Sequence, residues 1–180
     1  GFLSALEESK CVGKDTGWDV SHICVYDEKK SLRAAIPHYF KYHSYGEYIF
    51  DHSWANAYER TGQRYYPKSL SAVPFTPVPG PRLLSLEDDT EAKLVLLSYI
   101  QTIIEHNNLS SAHINFINFS DVAIAQKKGW MIREGLQFHW HNQSYTNFDD
   151  FLNKLSSRKR KNIRKERENI QKSKLHFVHL

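Results

Sequence analysis

The chain has 180 residues, of which 41% are hydrophobic and 24% are charged, and its formal net charge is +4. This length and hydrophobic fraction suffice to bury one core, which excludes a disordered chain and argues against several domains. The sequence contains no apolar run of the roughly 18 residues that cross a bilayer and no amino-terminal signal pattern, so we expect a soluble, cytoplasmic protein.

The first part of the chain predicts a helix followed by β-rich segments. Residues 2–9 have an amphipathic helical pattern. Residues 20–26 and 32–42 are rich in β-branched and aromatic residues and flank a short polar connection, which predicts an antiparallel pair of strands. Residues 45–60 are strand-like at first and then helical.

The second part continues the alternation of helices and strands. Four prolines within residues 72–84 exclude a regular central strand there. Apolar residues at helical spacing predict a long helix over 90–107, whose start is marked by Asp88, Asp89 and Thr90. The remaining predicted elements are a strand over 111–116, a helix over 121–128, a long strand over 130–142 and a helix capped by Thr146 or Asn147. This order predicts an α/β fold with a mixed, largely antiparallel sheet and helices on both faces.

Positive charge is concentrated near the carboxyl end. Residues 156–174 carry a net charge of +7, whereas the rest of the chain sums to −3. Because the amino end of a helix is already partly positive, cations there favour a bound anion, and phosphate is the obvious candidate. The simpler alternative is a solvated basic helix that packs through Leu152, Leu155, Ile163 and Ile170.

A series of aromatic, proline-containing and basic motifs runs through the chain. In chain order they are Tyr45-Gly46-Glu47-Tyr48, Phe50-Asp51-His52-Ser53-Trp54-Ala55-Asn56-Ala57-Tyr58, Tyr65-Tyr66-Pro67-Lys68, Pro74-Phe75-Thr76-Pro77-Val78-Pro79-Gly80-Pro81-Arg82, Gln137-Phe138-His139-Trp140, and Phe148-Asp149-Asp150-Phe151-Leu152 before Ser156-Ser157-Arg158-Lys159-Arg160-Lys161. Taken in this order, the motifs resemble the FemAB-like branch of bacterial GNAT-fold proteins over nearly the whole chain.

The resemblance implies a GNAT-like acyltransferase fold built from two similar halves. We therefore expect this chain to be the first half of a longer polypeptide. A GNAT-like N-acyltransferase domain would cover residues 1–147, and residues 148–180 would form a basic helical segment and a strand that lead into a missing second half.

The resemblance also implies an N-acyltransferase or aminoacyltransferase of peptidoglycan biosynthesis. Such an enzyme would move an acyl group from an activated donor, acyl-CoA or aminoacyl-tRNA, to an amine on a small molecule or a cell-wall precursor that bears phosphate. Two alternatives stay open: a tRNA- or nucleic-acid-binding module that uses the basic helix, and a GNAT-shaped scaffold without catalysis.

Acyl transfer to an amine needs a base for the amine, donors that polarise the carbonyl and a proton for the leaving group. The candidate catalytic residues are Glu47, Asp51 and His52, in a turn between a strand and a helix, and Tyr66, which offers a hydroxyl. Polar residues in turns also form local caps and hydrogen bonds, and that alternative stays open for these four.

The candidate substrate-binding residues supply aromatic faces, hydroxyls, imidazoles, cations and, at Gly80, a rigid backbone that can approach a ligand closely. They are Trp54, Tyr58, Tyr65, Lys68, Phe75, Thr76, Gly80, Arg82, His139, His141, Arg158, Lys159, Arg160 and Arg164. The last four would hold phosphates of the donor or acceptor, and Arg82 could bind phosphate or carboxylate or form an ordinary ion pair. His139 and His141 favour the polar lining of a cleft over zinc ligation, and no metal is expected.

Overall fold

The computed structural model describes residues 1–173 together with residues 175, 176 and 178. The chain divides into two compact units, Gly1–Arg133 and Glu134–Leu180. Among the described residues no helix combines the length and the apolar character that a bilayer crossing requires. The division at residue 147 that the sequence suggested stays a prediction.

The first unit contains four α-helices and seven β-strands. The helices are α1 (Phe2–Glu8), α2 (His52–Arg60), α3 (Thr90–His106) and α4 (Phe119–Lys127). The strands are β1 (Trp18–Val20), β2 (Ile23–Tyr26), β3 (Leu32–Ile36), β4 (Tyr39–Lys41), β5 (Lys68–Ser71), β6 (Leu84–Ser85) and β7 (Ala112–Ile114). The mixed α/β fold class predicted from the sequence is confirmed.

The strands form two sheets, ordered β1-β4-β5-β7 and β2-β3-β6. All pairs are antiparallel except β5 and β7, which run parallel. The predicted antiparallel pair is confirmed for β2 and β3, but the two long strands expected there each break and pass from one sheet to the other. Pro37 marks the second break, because it offers no N–H to a ladder.

Helix α3 supplies most of the main core. Its residues Ala92, Leu96, Leu97 and Ile100 are buried with Ile23, Ala34, Ile36, Ile124 and Ala125 of β2, β3 and α4. The predicted start of α3 is confirmed, since the Asp89 carboxylate accepts a hydrogen bond of 3.0 Å from the Ala92 N–H. A second, smaller core contains Val12, Trp18, Tyr39, Leu70 and Ala72, which lie around the four-stranded sheet.

The described residues of the second unit form two helices, α5 (Phe148–Asn153) and α6 (Ser157–Lys172). The predicted cap of α5 is confirmed, because the Asn147 side chain accepts from the Asp150 N–H at 2.9 Å. The break between α5 and α6 means that Leu152 and Ile163 belong to different helices, so the apolar stripe expected on one helix is wrong. Leu152 alone of that stripe is buried.

The long strand expected over residues 130–142 is wrong. These residues have no regular secondary structure, and residues 131–143 are exposed. A strand needs a neighbouring backbone to satisfy its N–H and C=O groups, and alternation in sequence does not supply one. The apolar member Trp140 instead packs on rings, with its centroid 6.3 Å from that of Tyr145 and 6.3 Å from that of Phe151 of α5.

The strand expected over residues 175–180 falls largely outside the described residues. Lys174, Phe177, His179 and Leu180 are not described, and Leu175, His176 and Val178 have no regular secondary structure.

The core around α3 is tested by Leu96→Ala. Leu96 is completely buried, so its truncation is expected to lower the free energy of unfolding by about 2–5 kcal/mol. Val95→Ala is the matched control, because Val95 is 47% exposed on the same helix, and its effect is expected to stay within about 0.5 kcal/mol. Urea denaturation measures both variants, and equal costs would contradict this assignment of the buried face.

Candidate functional site

A buried ammonium group lies at the centre of the candidate site. Lys68 begins β5, and its side chain is fully buried. Its Nζ donates to Asp51 Oδ2 at 2.5 Å, to Glu47 Oε2 at 2.9 Å and to Ser44 Oγ at 3.0 Å. The three donors of one ammonium thus meet two carboxylates and a hydroxyl, the full complement that a buried lysine requires.

The loop between β4 and α2 brings these acceptors to Lys68. Glu47 and Asp51 are 3% and 2% exposed, so the loop buries both of its carboxylates. Asp51 also ends the loop at the residue that precedes α2, and its backbone carbonyl accepts from the Ala55 N–H at 3.1 Å. The beginning of α2 therefore fixes the position of one carboxylate, and the antiparallel pairing of β4 with β5 fixes the lysine.

Two tyrosines extend the cluster. Tyr65 OH donates to Asp51 Oδ2 at 2.7 Å, and Tyr66 OH lies 2.7 Å from Ser44 Oγ. Tyr65 is buried, whereas Tyr66 is only partly buried. The Tyr66 hydroxyl consequently connects the buried charges to the edge of the cluster through a single intervening hydroxyl, that of Ser44.

Ser44 connects Tyr66 to the buried ammonium group. Its Oγ accepts from Lys68, and in its contact with Tyr66 either hydroxyl can be the donor. A hydroxyl group that can both accept and donate can pass a proton along such a chain.

The two carboxyl groups are driven apart in pKa by their surroundings. Burial by itself would raise the pKa of the Asp51 carboxyl. Hydrogen bonds from Lys68, Ser44 and Tyr65 outweigh burial, however, and lower this pKa to about 2. For Glu47 the effect of burial is larger than that of Lys68, so the pKa of its carboxyl is raised above the ordinary value. A carboxylate held ionised beside one that gains a proton more easily is an arrangement suited to acid–base chemistry.

Each carboxylate keeps one oxygen without a hydrogen-bond partner. Glu47 Oε1 and Asp51 Oδ1 are buried and accept no hydrogen bond from the residues that the structure describes. Buried polar atoms are almost always paired, so unpaired ones mark places where a further donor is to be expected. The cluster thus has acceptor capacity in excess of what Lys68 uses.

A second buried lysine lies beside the first. Lys41 pairs with Lys68 across β4 and β5, and its Nζ lies 3.6 Å from the ring centroid of Trp18. Its Nζ also donates to the Tyr45 carbonyl oxygen at 3.3 Å. Burial lowers the pKa of Lys41 to about 7, with Glu47 opposing that shift. Sequence reasoning missed Lys41 and Ser44, because their place in the cluster depends on the register of β4 against β5.

Of the four candidate catalytic residues, the structure brings together Glu47, Asp51 and Tyr66. The predicted substrate-binding residues Tyr65 and Lys68 join the same cluster. His52 does not: it is exposed, and its ring lies 6.4 Å from that of Tyr45.

Two further candidates of α2 lie outside the hydrogen-bonded cluster. The Tyr58 ring packs against that of Tyr65 with centroids 5.4 Å apart. Trp54 is 55% exposed and lies 5.7 Å below the guanidinium of Arg133. The binding roles of both residues stay predictions.

The proline-rich loop is held together by Arg82. This side chain is buried, and its guanidinium donates to three backbone carbonyl oxygens: those of Asn115 at 3.0 Å, Val78 at 2.8 Å and Pro81 at 3.3 Å. The guanidinium of Arg82 thus holds backbone carbonyl groups together, which is a structural role. Gly80 lies against this guanidinium, since a Cβ there would be 3.2 Å from Arg82 Nη1.

Phe75 and Thr76 lie at the start of the proline-rich loop. The Phe75 N–H donates to the Gly46 carbonyl oxygen at 3.1 Å, and a Cβ on Gly46 would lie 2.6 Å from the Phe75 ring. Gly46 has a φ of +79°, so both its conformation and the close approach of this ring require glycine. The Thr76 hydroxyl donates to the Pro74 carbonyl oxygen at 3.0 Å, which is a local turn contact.

The remaining candidates lie in the second unit. His139 and His141 stack on each other with ring centroids 6.3 Å apart, outside any strand. On α6, Arg160 donates to the Leu155 carbonyl oxygen at 3.4 Å, and Arg164 lies 3.6 Å from Asp149. Within the described part of the chain, no three His, Cys, Asp or Glu side chains come together as metal ligands.

Several cations of α6 keep their charges free. Within the described residues, Arg158, Lys159, Lys161 and Lys165 form no ion pair or hydrogen bond through their side chains. Ser157, Arg160, Lys161, Arg164, Lys165 and Glu168 line a concave surface along one side of the helix. The roles of these residues as phosphate ligands stay predictions.

Comparison with known proteins identifies the family. The profile of the FemAB-like family, described as peptidoglycan biosynthesis/recognition, matches residues 1–180. The chain therefore belongs to the FemAB-like family, as its motifs predicted. No curated protein and no solved structure shows significant similarity to it. The GNAT-like fold and the two-half organisation stay predictions.

The buried charge cluster is tested by Lys68→Met. Removal of the ammonium leaves two buried carboxylates without the cation that pairs with both of them, so the free energy of unfolding is expected to fall by about 3–5 kcal/mol. Lys172→Met is the matched control, because Lys172 is exposed and its pair with Glu168 at 2.5 Å contributes at most about 1 kcal/mol. Urea denaturation at pH 7 measures both.

A second variant separates lost pairing from simple failure to fold. In the triple variant Lys68→Met, Glu47→Gln, Asp51→Asn the stranded charges are absent, so part of the lost stability is expected to return. A triple variant less stable than Lys68→Met would contradict the view that unpaired charge causes the loss.

Proposed function

We propose that the protein is an N-acyltransferase or aminoacyltransferase that uses the Lys68 cluster for proton transfer. The observation that carries the proposal is the hydrogen-bond chain from the hydroxyl of Tyr66, a partly buried residue, through Ser44 to the buried charges. Membership of a peptidoglycan family supports an amine acceptor within a cell-wall precursor.

The reaction requires one bond to form and one to break. The acceptor nitrogen attacks the acyl carbonyl, the bond between the acyl carbon and its carrier breaks, the nitrogen loses a proton and the carrier gains one. Tyr66 is the member of the chain that can meet the substrate. It takes the proton of the amine as its own moves toward Ser44, and it returns a proton to the leaving group by the reverse path.

The buried charges act behind Tyr66. The Lys68 ammonium and the Glu47 and Asp51 carboxylates hold Ser44 in place and stabilise a changed protonation of the phenol. Glu47 is the proton reservoir in this scheme: Lys68 passes a proton to Glu47 and takes one from Ser44, so the ammonium is restored and the additional proton rests on the carboxyl group whose pKa is raised.

The alternative of a non-catalytic scaffold is less well supported by the cluster. Buried ion pairs are weak sources of stability, and apolar residues of similar size often replace them without loss. A chain selected for stability alone gains little by burying Lys41, Lys68, Glu47 and Asp51 together. A role in catalysis therefore explains the buried charges better than a role in stability does.

The activated donor is acyl-CoA or aminoacyl-tRNA, both of which carry phosphate. The basic helix α6 supports either choice, because Arg158 and Lys159 keep their charges free of side-chain partners in the described structure. The same helix supports the second candidate function, a tRNA-binding module. In that case the protein would only bind tRNA through its phosphates, and the Lys68 cluster would have no catalytic role.

The proposal is tested by Tyr66→Phe, which deletes one hydroxyl and keeps the ring. The rate of acyl transfer from aminoacyl-tRNA or acyl-CoA to a peptidoglycan precursor amine is expected to fall roughly 10²–10⁴-fold, with little change in melting temperature. Tyr99→Phe serves as the control, since Tyr99 is 52% exposed on α3 and should leave the rate unchanged. An unchanged rate in Tyr66→Phe would rule out the relay.

A further inference from the structure

The loop between β4 and α2 has an inverted pattern of burial. Its polar residues Ser44, Glu47 and Asp51 are 7%, 3% and 2% exposed. Its large aromatic residues face solvent, together with one in the first turn of α2: Tyr42, Tyr45, Tyr48, Phe50 and Trp54 are 51%, 73%, 52%, 78% and 55% exposed. We call these five residues the aromatic surface. Hydrophobic burial alone would bury the aromatic residues and expose the polar ones. The exposed rings therefore indicate a binding surface.

The burial pattern follows the chain in steps of three. Lys41, Ser44 and Glu47 are buried, and the residue after each of them is an exposed tyrosine. The contacts of the buried residues with Lys68 and its neighbours fix the loop from inside. Because these contacts hold the backbone of the loop, the exposed aromatic rings are attached to a backbone that is already fixed.

Further contacts fix the rings of the aromatic surface. The Tyr45 ring lies 5.2 Å from His43 and 6.4 Å from His52, which brings the loop beside the first turn of α2. Tyr48 has a φ of +56°, a conformation that is costly for a bulky residue and is kept only where surrounding contacts impose it. A surface prepared in this way loses little conformational freedom when a ligand binds.

The charge of the aromatic surface limits the class of ligand. Between residues 42 and 58 the only Asp, Glu, Lys or Arg residues are Glu47 and Asp51, and both are buried. Nucleic acids and anionic membranes are bound chiefly through several exposed Lys and Arg residues. This segment has none of its own, and the described structure places a single cation, Arg133, over one of its rings, that of Trp54. The rings and tyrosine hydroxyls suit a neutral ligand that has flat apolar faces and many hydrogen-bonding groups.

We propose that the aromatic surface binds a neutral saccharide chain, the glycan part of peptidoglycan, by stacking sugar rings on Tyr45, Tyr48 and Trp54. A pyranose ring presents C–H groups on its face and hydroxyl or amide groups on its edge, which match an aromatic face and a phenol hydroxyl. The inference rests on the burial pattern, the neutrality of the segment and membership of a peptidoglycan family. It does not depend on acyl transfer.

Binding of a soluble tetramer of N-acetylglucosamine to the full chain tests the proposal by calorimetry. The tetramer is expected to bind the unmodified protein, with an affinity that changes little between low and high salt because the saccharide carries no charge. Trp54→Ala and the pair Tyr45→Ala, Tyr48→Ala are each expected to weaken binding roughly tenfold or more. These side chains are exposed, so melting temperatures are expected to stay within a few degrees.

Phe119→Ala is the matched control, because Phe119 is 94% exposed on α4 and belongs to no site described above. It is expected to retain full affinity for the tetramer. Absence of tetramer binding, or equal affinity in the aromatic variants and the control, would overturn the proposal. So would preferential binding of a single-stranded oligonucleotide or a proline-rich peptide that the same variants abolish. Because no donor is present, a failure of acyl transfer leaves this result unaffected.

Discussion

One buried ammonium group organises the candidate site. Lys68 is inaccessible to solvent and reaches two carboxylates and a hydroxyl, all of them supplied by a single loop. A lysine in such a place is stable only while these partners stay in position, because the cost of desolvating a lone ammonium is several kcal/mol. The position of the loop, the start of α2 and the link to Tyr66 all depend on this interaction.

The same interaction shapes the outer side of the loop. Because polar side chains occupy the inner side, the aromatic side chains between them are left in solvent. Gly46 and Phe75 complete the arrangement, since the ring of Phe75 occupies the space that a side chain at residue 46 would need. The buried charges and the exposed aromatic rings therefore lie on opposite sides of one loop, which would join the proposed site of proton transfer to the proposed ligand surface.

Local patterns predicted the helices well and the sheets only in part. Helix α3 carries its own apolar periodicity and its own cap, so the sequence around Asp89 and Leu96 is sufficient to place it. The pairing of β1 to β4 depends on residues distant in sequence. The sequence of residues 20–42 therefore could not show that each predicted strand divides into two strands of different sheets. Alternation over residues 130–142 likewise indicated a strand without indicating any neighbour for it.

The candidate site shows the same difference between residues that local motifs predict and residues that depend on non-local strand pairing. Glu47, Asp51, Tyr65, Tyr66 and Lys68 could be selected from motifs, because acidic, phenolic and basic residues are concentrated on either side of α2. Lys41 and Ser44 could not, because only the pairing of β4 with β5 brings them to the cluster. Arg82 was expected to meet a ligand, whereas the carbonyl oxygens that surround it are supplied by residues distant in sequence, such as Asn115.

A carbon-13 NMR titration of the side-chain carboxyls of Asp51 and Glu47 tests the central claim most directly. Asp51 has a pKa of about 2, below its value in an unfolded chain, so it should stay ionised from neutral pH to pH 3. Its contribution to stability is present above the unfolded value and is lost as the pH falls toward 2. Glu47 should titrate above its ordinary value. Separate titrations in this order would support a buried lysine between two unequal carboxylates, and coincident titrations near pH 4 would contradict it.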